Sequence, residues 1–170
     1  FTRMLLAEGV RVIGVSRHPE IAGAPESYVP WPIDLSNLEE LESELGAIFT
    51  AYSKIDLVIN NAGFGVLGQL DGMTTETVQA QFAVMLSAPT LISSRAIKAF
   101  KDGSVSGCLV NVASLAVDLP LPLMPVYNAS KAALSALSES LCLDASGESV
   151  CYRVIDFRPG DFNTNFAERM

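Results

Sequence analysis

The sequence predicts an α/β protein, a doubly wound parallel sheet with helices on both faces. Three observations predict it. Short β-branched runs such as VRVIGV (10–15) and CLVNVA (108–113) read as strands. Longer segments between them carry apolar residues at helical spacing. Strand and helix alternate throughout, which argues for parallel strands joined by crossover helices.

The elements follow in order. FTRMLLAEG reads as the tail of a helix that stops at Gly9, a good left-handed cap residue. VRVIGV is the first strand, left through the loop Ser16-Arg17-His18-Pro19-Glu20. YVPWPI (28–33) is extended, and its two prolines suit a short or edge strand. Ser36-Asn37-Leu38-Glu39 reads as a capping box. It opens a helix with Leu38, Leu41, Leu45, Ile48 and Phe49 on one face. The next strand runs from Ile55 through Asn60, and a long helix runs from about Thr75 to Lys101. CLVNVA follows as a strand, then a helix from Tyr127 to about Asp144. VCYRVIDF (150–157) is the last strand, halted by Pro159-Gly160. No element is assigned to 161–170.

With 170 residues, 49% of them hydrophobic and 18% charged, the chain suits one domain with a sizeable core. Its net charge of -8 disfavours nucleic acid and anionic membrane surfaces as partners. No apolar run reaches the length of a membrane span, and LAVDLPLPLMPV (115–126) is broken by Asp118 and three prolines. No signal peptide opens the sequence. Cys108, Cys142 and Cys151 form no C-x-x-C and read as buried free thiols, which places the protein in a reducing cytoplasm. The single His18 has no ligand-spaced partner, so no metal site is expected.

GFGVLG (63–68) spells G-x-G-x-x-G after a strand. A dinucleotide fingerprint must also open a helix and be followed by an acid about 20 residues on. Here the helix waits for Thr74, and AVMLSAPT (83–90) holds no acid. The glycines are better read as a sharp turn above the sheet.

A stronger constellation lies downstream. Ser114 sits at a strand end, and Tyr127 and Lys131 are one helical turn apart. A free phenol holds its proton until about pH 10, and a nearby ammonium favours the phenolate. Such a phenol can move a proton at a carbonyl or alcohol oxygen. A serine can steady the same oxygen. No side chain here accepts hydride, so this chemistry needs a nicotinamide cofactor. A bare Y-x-x-x-K is also common as a solvated pair, and that reading stands beside the catalytic one.

Taken together and in this order, INNAG (59–63), Ser114, YNASK (127–131) and RPG (158–160) resemble the short-chain dehydrogenase/reductases. NNAGFGVLGQL resembles the 17β-hydroxysteroid dehydrogenase-like members of the single-domain branch. The resemblance implies a Rossmann-like fold and a role for each matching position. Ser114 would steady the substrate oxygen, Tyr127 would be the acid/base, and Lys131 would assist it and bind the nicotinamide ribose. Asn61, Ala62 and Gly63 would line the adenosine side of the cofactor, with Asp34 and Leu35 at adenine. Pro159, Gly160, Phe162 and Thr164 would contact the nicotinamide end. Gly63 thus belongs to N-N-A-G, which explains the apparent fingerprint as an overlap.

Ser16 stands where an acid would bind the ribose hydroxyls of NAD, and Arg17 follows it. A guanidinium suits a 2′-phosphate, so NADP is expected in preference to NAD. The expected function is carbonyl–alcohol interconversion on a small apolar substrate, with 115–126 bordering the substrate. The resemblance further implies a homodimer or homotetramer through helices 75–101 and 127–144. The family usually places an Asn at the position of Met85, where it holds a water linking the lysine to solvent. Glycine is common at the position of Val117. The family's first strand, its glycine-rich turn and its last elements find no match in 1–170, so the sequence is expected to be truncated at both ends. Two adjacent strands would then lose a shared neighbour. The alternative is a catalytically inactive fragment that keeps only structural and dimerisation surfaces. A nucleotide-sugar epimerase of the extended branch fits the N-N-A-G and P-G motifs less well.

Overall fold

The structure, a computed structural model, describes residues 1–103, 106–146 and 151–160. Helix α1 (Thr2–Ala7) ends as expected: Gly9 adopts φ +77°, the Val10 amide donates to Leu5 O, and the Gly9 amide donates to Leu6 O. This pair of bonds satisfies the last carbonyls of the helix. Strand β1 (Val12–Ser16) pairs in parallel with β2 (Tyr28–Pro32). Each starts or ends within two residues of the expected run. Pro30 and Pro32 are exposed on β2, which among the described residues has a single ladder partner. An outer strand tolerates their missing donors. Opposite Pro30, Gly14 leaves the space that the Tyr28 ring fills, and the Tyr28 hydroxyl donates to the Pro19 carbonyl.

Helix α2 (Leu38–Ala51) starts one residue later than the expected capping box. Ser36 cannot cap it, because its amide and hydroxyl are both bonded to the Asp34 carboxylate, at 2.9 and 2.7 Å. Asn37 caps instead, accepting from the Glu40 amide at 3.2 Å while its own amide group donates to the Glu40 carboxylate. Leu41, Leu45 and Ile48 then pack with Ile33, Leu35 and Ala88, flanked by Ile13, Val15 and Trp31.

Strand β3 (Leu57–Asn60) is shorter than expected. The run after it does not open a helix. It is irregular until a single turn at Leu70–Gly72, and α3 (Thr75–Phe82) begins beyond that, capped by Thr74. The expected long helix is not uniform. A π-helical segment, Ala83–Ser87, separates α3 from α4 (Ala88–Gly103). Strands β4 (Gly107–Val112) and β5 (Tyr152–Phe157) complete a second parallel sheet in the order β3-β4-β5. Helix α5 (Pro125–Asp144) joins them and starts two residues before Tyr127, with Pro125 in its first turn. The three thiols are unpaired and half-buried rather than fully buried.

The strands form two separate sheets. Among the described residues no ladder joins β1–β2 to β3–β4–β5. Phe100, Ala96, Leu109 and Tyr152 form the core beneath the second sheet. A buried polar chain crosses the same region. The Asn60 amide donates to the Asn111 side chain at 2.8 Å and to Ser93 Oγ at 3.2 Å. Asn111 donates to Ser138 Oγ at 2.9 Å, and Ser138 donates to the Leu134 carbonyl. Each group is satisfied, so the chain ties β3, β4, α4 and α5 without an orphaned dipole. Replacing Asn111 by Ala takes one acceptor from Asn60 and the donor that Ser138 accepts from, leaves a cavity in the buried chain, and is expected to lower stability by about 2–4 kcal/mol. Denaturant melts of the two proteins check this; a difference below about 1 kcal/mol would show that the chain does not hold the core.

Candidate active site

Every expected site residue within the described segments follows the carboxyl end of a strand or sits on α5. Ser16 and Arg17 end β1, Asp34 and Leu35 follow β2, and Asn61–Gly63 follow β3. Ser114 follows β4, and Pro159 and Gly160 follow β5. In a parallel sheet such positions share one edge, the usual place of a ligand crevice. Phe162 and Thr164, expected at the nicotinamide end, lie outside the described residues.

Lys131 is the centre of the arrangement. It is only 4% exposed, and its Nζ donates to the Val112 carbonyl at 2.6 Å, at the end of β4. Burial pulls its pKa down to about 8. Its ammonium lies 5.9 Å from the centroid of the Tyr127 ring. Tyr127 is itself buried, packed with Met85, Ala116 and Met124. Ala116 belongs to the one-turn helix Leu115–Val117 that Ser114 caps, its amide donating to Ser114 Oγ at 3.1 Å. The serine turn, the tyrosine and the lysine therefore meet in one small cluster.

Gly63 closes this cluster from the other side. A Cβ there would sit 3.4 Å from Met85 Sδ and 3.5 Å from Lys131 Nζ. The N-N-A-G turn thus reaches the lysine, while Asn61 and Ala62 are exposed. On the β5 side, Pro159 O accepts from the Leu115 amide at 3.0 Å, and a Cβ on Gly160 would lie 3.2 Å from the Leu115 side chain. The P-G turn and the serine turn are neighbours.

The other end is polar. Ser16 O accepts from the Ile33 amide at 3.1 Å, which brings the ends of β1 and β2 together. Asp34 is held below the usual carboxylate range, first by its bonds to Ser36 and then by attraction to Arg17. Ser16, Arg17 and Asp34 are therefore close, with Arg17 exposed. Leu35 departs from its expected place: its side chain lies in the core with Ile33 and Leu41, so contact to adenine would run through its backbone.

A family profile described as short chain dehydrogenase matches residues 1–170. The chain belongs to this family. Human dehydrogenase/reductase SDR family member 11 is 29% identical over 181 residues, covering 99% of this chain and 70% of the human protein. The 3-ketodihydrosphingosine reductase of Bacteroides thetaiotaomicron is 29% identical over 167 residues, 98% of this chain and 60% of that reductase. The crystal structure of a short-chain dehydrogenase from Streptomyces avermitilis superimposes with a TM-score of 0.85 at 26% identity, covering 96% of this chain and 62% of that one. The chain thus spans roughly three fifths of the length of these bacterial short-chain dehydrogenases. Among the described residues no helix is long and apolar enough to cross a membrane.

Two features of this short-chain dehydrogenase escape its sequence. The acceptor that holds Lys131 is a backbone carbonyl, which no motif marks. Met85 was legible as a departure, but its sulfur beside the lysine was not. Because burial lowers the pKa of Lys131, the folded chain releases a proton that the unfolded chain keeps between about pH 8 and 10.4. Stability contributed by this group therefore rises with pH across that window. Relative to Lys131→Met, the wild type is expected to gain on the order of 3 kcal/mol from pH 7 to 10.5. Paired denaturant melts across that range check it; a constant difference would show that the ammonium is not desolvated.

Proposed function

We propose that this short-chain dehydrogenase chain carries the catalytic part of an NADP-dependent oxidoreductase that interconverts a carbonyl and a secondary alcohol on a small apolar substrate. One observation carries the reading: a buried lysine, anchored to the Val112 carbonyl, lies beside the ring of Tyr127, next to the turn that Ser114 caps. A solvated i,i+4 pair would leave both side chains in water, and here both are buried.

A bound nicotinamide supplies hydride in reduction and accepts it in oxidation. The chain's own groups handle the oxygen. In reduction the Tyr127 hydroxyl gives its proton to the carbonyl oxygen as the alcohol forms; in oxidation the phenolate takes it back. Lys131, as an ammonium, favours the phenolate at that moment. Ser114 Oγ accepts from the Ala116 amide, and its own proton is available to donate to the substrate oxygen. Lys131 must be charged for this, so the rate is expected to fall as pH rises above about 8.

Gly63 offers the close backbone approach that a cofactor beside Lys131 requires. Arg17, with no acid at Ser16, supports NADP over NAD. Exposed Leu115, Leu119, Leu121 and Leu123 beside the serine turn support an apolar substrate. The reading includes a homodimer or homotetramer through α3–α4 and α5, and a cytoplasmic location consistent with three unpaired thiols.

Fluorescence titration with NADPH and NADH is the first test. Arg17→Ala is expected to weaken NADPH binding roughly 10–100-fold while leaving NADH unchanged. Tyr127→Phe is expected to bind cofactor normally and lose roughly 100- to 10,000-fold in kcat. Binding of neither cofactor, with no turnover to lose, would favour the inactive fragment that keeps only packing and dimerisation surfaces.

A further inference from the structure

We infer that Arg158 is a positioning residue that fixes the turn bearing Ser114 relative to the helix bearing Tyr127 and Lys131. The inference rests on the oxidoreductase reading for its catalytic consequence, but its geometry stands on the fold alone.

Arg158 lies between the end of β5 and the P-G turn, with its side chain 27% exposed. Its guanidinium reaches three separate elements. Nε donates to Asp156 Oδ2 on its own strand at 2.7 Å. One terminal nitrogen donates to Ser135 Oγ at 2.7 Å and also to the Glu139 carboxylate. The other donates to Asp118, at 3.3 and 3.4 Å to its two oxygens. Ser135 and Glu139 lie one and two turns beyond Lys131, along the same side of α5. Asp118 closes the one-turn helix that Ser114 opens. One planar fork thus spans the serine turn, the tyrosine–lysine helix and the strand leading to the P-G turn.

The arrangement needs an arginine. A guanidinium offers five N–H groups in a fixed fork, whereas an ammonium can serve one or two of these acceptors but not all of them. Asp156 makes the demand sharper. Its side chain is only 12% exposed, its Oδ2 takes both Arg158 and Ser135, and its Oδ1 has no bonded partner among the described residues. A carboxylate so placed requires the cation. The backbone completes the clamp, with Leu115 N bonded to Pro159 O and Ala113 N to Phe157 O.

The arms separate the clamp's two duties. Asp118 is well exposed, at 57% for its side chain, and serves only the serine turn. Glu139 is exposed at 64% and serves only α5. Asp118→Ala is therefore expected to free the turn without unfolding the chain, and Glu139→Ala is the control.

Amide hydrogen exchange and steady-state kinetics with NADPH test this on the same proteins. In Asp118→Ala and in Arg158→Lys, exchange at Leu115 and Ala116 is expected to speed up about tenfold, with amides 131–139 of α5 unchanged in Asp118→Ala. The value of kcat is expected to fall about tenfold or more, while the NADPH dissociation constant holds within about twofold. Glu139→Ala is expected to leave exchange at Leu115 and Ala116 at wild-type values, because Ser135 and Asp118 still hold the guanidinium, and Asp118→Asn, which keeps an acceptor oxygen, to recover part of the rate. Unchanged exchange at Leu115 and Ala116 overturns the tether. Faster exchange with undiminished kcat overturns its catalytic role. If the wild type turns over no carbonyl substrate, the oxidoreductase reading falls, and the exchange result still decides the tether.

Discussion

A buried ammonium must find an oxygen, and that requirement organises this site. Lys131 finds the carbonyl of Val112. The bond pins the first half of α5 to the end of β4, because the two groups are 19 residues apart in sequence and belong to different layers. Once that turn of helix is fixed, Tyr127 is fixed one turn before it. The helix can approach the sheet closely because its inner face carries small residues. Ser130, Ser135 and Ser138 are buried there, and Ser130 and Ser138 return their hydroxyls to carbonyls of their own helix. Larger side chains at those positions would hold the lysine away from its acceptor.

The π-helical segment serves the same constraint from the opposite side. An extra residue in one turn widens the helix and shifts which side chain faces inward. Here it sets Met85 fully inside, against Tyr127 and beside the lysine. A thioether is at best a weak acceptor. The carbonyl of Val112 is the oxygen that receives the ammonium, and burial lowers the lysine's pKa. Gly63 lies on the remaining side, where a Cβ would come within 3.5 Å of both Met85 and Lys131.

The fold was legible because its signals are local. Short apolar or β-branched runs marked the strands among the described residues, and the spacing of Leu41, Leu45 and Ile48 marked the buried face of α2. What the sequence hid is what depends on competition or distance. Ser36 looked like a cap until Asp34 took both of its donors. Nothing in AVMLS announces a π segment, because its cause is packing rather than composition. Leu35 carried a motif position but went to the core, since its neighbours Ile33 and Leu41 offered it an apolar site. At the site, Ser114, Tyr127 and Lys131 were readable from spacing and family motifs. Arg158 was not, because its acceptors at 118, 135, 139 and 156 look like ordinary surface polar residues until the chain folds.

The split sheet shows how the two ends of the site are held in relation. β1 and β3 share no hydrogen bonds, so the ends of β1 and β2 are not positioned by a continuous ladder. Apolar packing does that work instead. Ile13 and Val15 of β1 meet the core of α2, and that core includes Ala88 and touches Leu91 and Ile92 of α4. Helix α4 in turn carries Ser93 and Phe100, which belong to the second sheet's polar chain and core. Side-chain burial is non-directional and tolerates small shifts that a hydrogen-bonded ladder would not. The polar end around Arg17 and Asp34 is therefore coupled to the lysine cluster through α2 and α4, and more softly than the P-G turn is through the ladder of β4 and β5. The part of this molecule held by a continuous ladder and by the bond from Lys131 to Val112 is the part that carries Tyr127 and Lys131.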